Sequence, residues 1–372
     1  MEFITDLATP TDDAAIRHLM ATNPMPGDIS LSYRREPNYF VGCGTMGHFY
    51  QVGVIRYQPT GEIAGLACRS TRPMFVNGQV EEVGYLSQLR VDHKFRGMGL
   101  VSQGFHHARQ LHTDGRVKGY YCTIIEGNSQ AVGLLVNRPR QHFPMFREMG
   151  HLQTLAIVLR KWKFSSTWEN SAGLKVRPGT LGDLETIVAL LNQHGAAKQF
   201  FPVYTVADFL DSSLTVGFKV ENFMLAWRGP ELVGVMGLWN QSTYKQSVVE
   251  SYNGTLGTLR PLYNLALRLM GAQLLPAPGQ AIRFAYGSFI CTANNDPAIF
   301  ELLLRHACSL ATARNYAYLM ISLMENDPLL AVARRYLHIP YHSRLYSACW
   351  DDAPTWHTHL DGRVPYLEGA AM

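Results

Sequence analysis

Apolar positions along the chain alternate with polar ones through short runs, then switch to a helical spacing, and the switch recurs several times. Val83, Tyr85, Leu86, Leu89 and Val91 place β-branched, aromatic and aliphatic side chains over nine positions, which predicts a strand. Ser102 near a helix start, followed by Phe105, Ala108 and Leu111 on a repeat of three, predicts a helix. Between them lies "RVDHKFRGMGLVSQGF", Arg90 to Phe105, in which Gly97 and Gly99 flank Met98 directly after Arg96. A strand, a glycine turn and a helix in this order aim unpaired main-chain N–H groups at one point. The positive end of the helix dipole adds to them, and a bulky anion approaches without meeting a Cβ. The turn is therefore expected to hold phosphate. The dinucleotide fingerprint is a poorer match, because its third glycine falls on Ser102 and the early strands read as hairpins.

The same order of elements occurs twice. "LATPTDDAAIRHLM", Leu7 to Met20, matches "VRPGTLGDLETIVALL", Val176 to Leu191: a short strand, a turn with Pro and Thr, an Asp near a helix start, then helical spacing. "TGEIAGLAC", Thr60 to Cys68, matches "GPELVGVMGL", Gly229 to Leu238, as a hairpin turn entering a strand. "CTIIEGNSQAVGLL", Cys122 to Leu135, matches "LMISLMENDPLLAVARRYL", Leu319 to Leu337. Three matches in one order predict two copies of one α/β fold, at 1–164 and 174–350. A polar linker over 165–173 separates them, and a Pro-, His- and Gly-rich tail over 351–372 is expected on the surface.

Composition narrows the function. The chain has 372 residues, with 47% hydrophobic and 17% charged, as a globular protein of more than one domain does. A formal charge of +4 with no long basic run gives no reason to expect nucleic acid or membrane as a partner. The N-terminal stretch lacks a basic flank and an apolar core, so no signal peptide is expected. Six scattered cysteines without a C-x-x-C pair fit buried free thiols in a reducing compartment, hence a cytoplasmic protein. Of the 14 histidines, His106 and His107 are adjacent and His338 and His342 flank Pro340, so no metal site is expected.

On these residues the chain resembles the GNAT acyltransferase superfamily. "VDHKFRGMGLV", Val91 to Val101, is similar to its Arg/Gln-x-x-Gly-x-Gly/Ala signature: Arg96 and Gly99 match, and Val101 stands where the family has Gly or Ala. Alternatively Lys94 takes the first position and puts Gly97 and Gly99 in the two small-residue slots. The resemblance implies an α/β fold of two tandem GNAT-like domains, each a mixed, mostly antiparallel central sheet flanked by helices. It also implies acetyl-CoA or another acyl-CoA as co-substrate, its pyrophosphate on the amides of Arg96, Gly97, Met98, Gly99, Leu100 and Val101. The pantetheine arm would lie between the strand ending at Val91 and the strand around Tyr121 to Ile125, held by backbone near Leu89 and Val91, with Asn128 beside it. The second copy reads Thr292-Ala293-Asn294-Asn295-Asp296 at the corresponding turn, without glycine or cation, and is expected to be degenerate.

Acyl transfer to an amine needs a neutral acceptor, a donor for the oxyanion and a proton for the departing thiolate. The tyrosine that the family commonly uses as the acid falls at Leu135. Tyr85, on the side-chain parity of Ser87, Leu89 and Val91, is one candidate; Glu126 at the end of the next strand is another; Glu81 and Glu82 offer a third. The expected activity is N-acyl transfer, by preference acetyl transfer, to a primary amine of an unassigned acceptor. The alternative is an inactive acyl-CoA-binding or regulatory module. Homo-oligomerisation is left open.

Overall fold

The computed structural model describes residues 2–25, 27–137, 142–160, 173–210 and 212–372; of the expected linker only Gly173 is among them. The first half runs β1 (Phe3–Leu7), α1 (Asp13–Thr22), β2 (Ile29–Arg34), α2 (Tyr39–Gly44), β3 (Phe49–Tyr57), β4 (Ile63–Val76), β5 (Gln79–Val91), α3 (Leu100–His112), β6 (Tyr120–Ile125), α4 (Ser129–Leu135) and β7 (Met145–Val158). The second runs β8 (Leu174–Pro178), α5 (Leu184–Gly195), β9 (Phe201–Pro202), β10 (Phe223–Arg228), β11 (Glu231–Trp239), β12 (Gln246–Tyr252), α6 (Gly254–Leu269), β13 (Phe284–Thr292), α7 (Pro297–Ala313), β14 (Tyr318–Met324), α8 (Pro328–Ala333), β15 (His338–Cys349) and α9 (Trp356–His359).

The repeated patterns fold alike. Thr9 and Asp12 close a capping box before α1, and Thr180 and Asp183 close one before α5. Each carboxylate is clamped by an arginine with two short bonds: Arg56 on Asp12 at 2.8 and 2.9 Å, Arg177 on Asp183 at 2.8 and 2.6 Å.

The halves are not two separate sheets. One sheet runs β1-β3-β4-β5-β6-β15-β7-β14-β13-β11-β10-β8, with β9 paired to β4. The last strand of the second half, β15, sits between β6 and β7, and the last strand of the first half, β7, pairs with β14. A second, two-stranded sheet joins β2 to β12. The cores follow this exchange. Leu155, Ile157 and Leu159 pack with the second half's apolar residues, whereas Leu345 and Cys349 pack with the first half's. Alternation predicts a strand and which faces it covers, not which neighbour it takes, so the exchange has no counterpart in the one-dimensional pattern.

The segment beyond 350 corrects the expectation of a surface tail. Trp356, Tyr366, Leu367, Glu368 and Ala370 are buried. Its aromatic and small side chains fill space beside β13 and under Phe201, whose ring centroid lies 4.5 Å from that of Tyr366. All six cysteines are buried and unpaired. Among the described residues no helix is long and apolar enough to cross a membrane.

Candidate active site

β5 and β6 pair in parallel at only two positions, Gly84 with Tyr120 and Tyr85 with Tyr121, and then diverge. Just past that point β5 is interrupted: Ser87 pairs with Cys68 and Arg90 with Leu66, so Gln88 and Leu89 together oppose one residue of β4. Gln88 adopts φ +59°, the left-handed conformation that turns its peptide out of the ladder. The divergence opens a cavity of about 240 Å³, lined by Ser87 to Val91 on one side, Cys122 to Ile125 on the other, and Asn128, Ala131 and Leu135 of α4. It continues beneath α3 along Leu100, Val101, Gly104, Phe105 and Leu111.

The glycine turn leads directly into Leu100 and Val101, which line this cavity. Gly97 and Gly99 have φ +84° and +77°, and a Cβ at either would touch nothing within 4 Å, so the chain bends there with its main chain exposed. Gly99 caps α3 without a side-chain acceptor. Met98 N–H reaches back to Phe95 at 3.4 Å, while among the described residues no carbonyl takes the N–H of Gly97, Gly99, Leu100 or Val101. These donors remain available to a ligand. Among the described residues the exposed Arg96 has one side-chain hydrogen bond, to Asn23 Oδ1 at 3.4 Å, and Lys94 pairs with Glu62 at 3.3 Å on the surface.

Leu89, Val91, Leu100, Val101 and Asn128 therefore line one cavity; Lys94, Arg96, Gly97, Met98 and Gly99 are not part of its lining and lie exposed just before Leu100. The Asn128 carboxamide oxygen accepts from Ala131 N–H at 3.0 Å and starts α4. Leu135 also lines the cavity, so an apolar side chain stands where a proton donor is expected.

The carboxylate and phenol candidates lie elsewhere. Tyr85 is buried, stacked on Tyr121 with centroids 4.6 Å apart, and burial pushes its phenol well above the ordinary range. Tyr85 keeps the parity of Ser87, while the bulge at Gln88 takes Leu89 and Val91 out of that alternation; Tyr85 packs in the core and is not part of the cavity lining, which corrects the expectation for it. Glu81 and the exposed Glu82 precede the divergence and do not line the cavity. Glu126 directly follows β6, outside the lining, and belongs to a surface network, 3.3 Å from His151 and 3.7 Å from Arg344.

The second half repeats the geometry with its openings filled. β13 and β14 pair in parallel from Phe284 to Tyr286 and then separate, and β13 bulges at Phe289, φ +54°, between Ser288 and Cys291. Here the bulge donors are taken by the chain itself. Phe289 N–H donates to Glu368 Oε2 at 2.7 Å, and Ile290 N–H to the Tyr366 hydroxyl at 3.1 Å. The terminus of α7 is likewise closed, since Asp296 Oδ1 accepts from Ala298 and Ile299 at 2.7 and 3.4 Å. Sequence reasoning found the glycine turn but missed both bulges; Ser87 and Ser288, each directly before one, carry no recognisable code for it.

A bulged strand, a diverging parallel neighbour and a helix terminus with unpartnered amides thus come together in the first half. No family profile and no curated protein matches the chain in sequence. Solved structures do match in fold. Saccharomyces cerevisiae N-myristoyltransferase with bound myristoyl-CoA superposes with a TM-score of 0.61 at 10% identity, over 93% of this chain and 82% of that one. A GCN5-related N-acetyltransferase from Sphaerobacter thermophilus gives 0.54 at 14% identity, over 93% and 95%. A GCN5-related glucosamine N-acetyltransferase region of a fungal multi-domain β-N-acetylglucosaminidase gives 0.61 at 13%, over 93% of this chain and 38% of that one. In fold, the chain is similar to these N-myristoyltransferase and GCN5-related acetyltransferase structures.

Proposed function

We propose that the protein is an N-acyltransferase that takes its acyl group from an acyl-CoA, acetyl-CoA by preference, and delivers it to a primary amine. The observation that carries this reading is the junction of the divergent-strand cavity with the unpartnered amides of 97 and 99–101. A diphosphate on those amides, neutralised by Arg96, leaves the pantetheine arm to run between β5 and β6. The thioester carbonyl then meets the bulge at Gln88 and Leu89, whose N–H groups stabilise the oxyanion as the amine attacks. The thiolate departs into a site where Leu135 offers no proton, so this chain relies on binding and oxyanion stabilisation, with solvent supplying the proton.

Asn128 orients the start of α4 beside the arm. Of the four carboxyl and phenol groups named above, Glu126 directly follows cavity-lining Ile125, which makes it the base candidate once it leaves His151 and Arg344. The apolar lining beneath α3 favours donors with more carbon than an acetyl group as a second possibility. The inactive acyl-CoA-binding module is the alternative that Leu135 favours.

Thiol release from acetyl-, octanoyl- and myristoyl-CoA, each with a panel of primary amines, tests these readings. Amine-dependent release with any donor supports transfer, and its chain-length profile ranks the donors. Stabilisation by acyl-CoA without release supports the binding module.

A further inference from the structure

Arg35 follows β2 and is 6% exposed, yet among the described residues it makes no hydrogen bond or ion pair. Its Nη1 is fully buried without a partner, and so is the hydroxyl of Tyr39 on α2. The guanidinium is close enough to act on the titration of Tyr39, Cys43, Cys68, Tyr244, Lys245 and Tyr286, residues drawn from both halves. Of these Cys68 also lines the cavity, next to its ladder partner Ser87, so the cluster abuts the bulge where the thioester would lie. The backbone makes room for it: a Cβ at Gly42 would collide with Arg35 Nη1.

Charge in the cluster is unbalanced. Arg90 donates to the Leu89 carbonyl at 3.0 Å, and Lys245 to the Ala370 and Met372 carbonyls at 2.7 and 3.3 Å. Glu368 is the carboxylate that acts on Lys245, and its oxygens are occupied by Phe289, Ala370 and Tyr366. Burial, with Arg35 as a second cause, holds the Lys245 ammonium well below its ordinary range. Arg69, by contrast, forks onto Asp114 at 2.7 and 2.8 Å, while Arg72 lies over the Tyr204 ring at 5.1 Å with Nε and Nη2 also buried without a partner. A buried guanidinium without an anion is costly, and a ligand that brings the anion removes that cost.

We propose that the acceptor amine carries an anionic group, a carboxylate or a phosphate, which pairs with Arg35 and Tyr39 in the buried cluster that reaches the cavity at Cys68. This rests on the acyltransferase reading and adds the acceptor's class. A guanidinium grips such an anion with two donors, the Tyr39 hydroxyl adds a third, and the amine is left pointing toward the bulge.

The test follows thiol release from acetyl-CoA with matched acceptors: amino acids against their carboxamides, and aminoalkyl phosphates against the corresponding amino alcohols. Anionic members should exceed their neutral partners in kcat/KM by about 100-fold or more, and the preferred pair tells carboxylate from phosphate. In Arg35→Gln the discrimination should collapse through the acceptor KM, with Arg35→Lys restoring part of it, while the acetyl-CoA melting shift shows that both variants remain folded. Equal turnover of acids and amides by the unaltered protein would overturn the proposal. So would silence from every anionic amine while acetyl-CoA still raises the melting midpoint, a result that leaves the donor site standing. Silence with no acetyl-CoA shift would instead remove the acyltransferase reading, and the proposal with it.

Discussion

The two halves carry the same bulge after the same parallel pairing, and they differ in who occupies it. In the second half Glu368 and Tyr366 take the N–H groups of Phe289 and Ile290, and Asp296 takes the first amides of α7. In the first half the corresponding Gln88 and Leu89 line a cavity, and among the described residues the amides at the start of α3 meet no carbonyl. Backbone geometry is thus the constant, and side chains supplied by the chain decide whether it becomes a packed joint or a place for a ligand. A buried N–H left alone costs about 1–3 kcal/mol, so a joint that will not bind a ligand has reason to fill its donors from within.

The comparison can be broken first at the pairing that precedes each bulge. Gly84 faces the ring of Tyr120, which Arg69 and His112 hold by its hydroxyl at 2.9 and 2.8 Å, whereas the second half has Ala285 opposite Leu319. A Cβ at Gly84 would run into that ring. Gly84→Ala should therefore cost about 3 kcal/mol in denaturant unfolding. In a Tyr120→Leu background, which copies the second half's pairing, the same change should cost under about 1 kcal/mol.

Next is the open helix terminus. At acetyl-CoA about 100 times its Kd the melting shift of the unaltered protein corresponds to about 2.7 kcal/mol, and Arg96→Glu should abolish it. Asp296→Ala, at the closed terminus, should leave that shift intact and lose only the cap, about 1 kcal/mol of stability. Glu368→Ala strands Phe289 N–H and should destabilise by about 2 kcal/mol, again without touching the acetyl-CoA response. A loss of response in either second-half variant would mean that the filled joint takes part in binding.

The smallest effect is one the halves share. The Arg56 guanidinium holds the Asp12 carboxyl down at about 2, below its ordinary 3.8, and Arg177 lowers Asp183 in the same way. Each pair thus contributes stability that is complete above the ordinary value and lost as pH falls through the lowered one. Arg56→Met should flatten part of the decline in melting temperature between about pH 4 and pH 2, where the unaltered protein loses this contribution.

Periodicity and the internal repeat made the paired elements legible, down to the Thr and Asp of both capping boxes, because those signals are local. The glycine turn was legible for the same reason: Gly97 and Gly99 mark a backbone that other residues rarely adopt. What escaped is non-local. The exchange of β7 and β15 is a choice of neighbour, the bulge at Gln88 has no local code, and Tyr85 shares the parity of cavity residue Ser87 yet is core. The tail reads as polar and turn-rich, yet Tyr366 and Glu368 find their partners on β13, far away in sequence. Arg35 has no motif around it, and only its burial beside Tyr39 and Gly42 sets it apart.

The most direct test is a crystal structure with coenzyme A bound. Expected is the pyrophosphate within hydrogen-bond distance of the amides of 97 and 99–101, Arg96 turned onto it, and the arm passing between β5 and β6 to end at Gln88. A coenzyme seated on the second half, or one whose arm avoids the space between β5 and β6, would contradict the assignment of the open joint as the donor site.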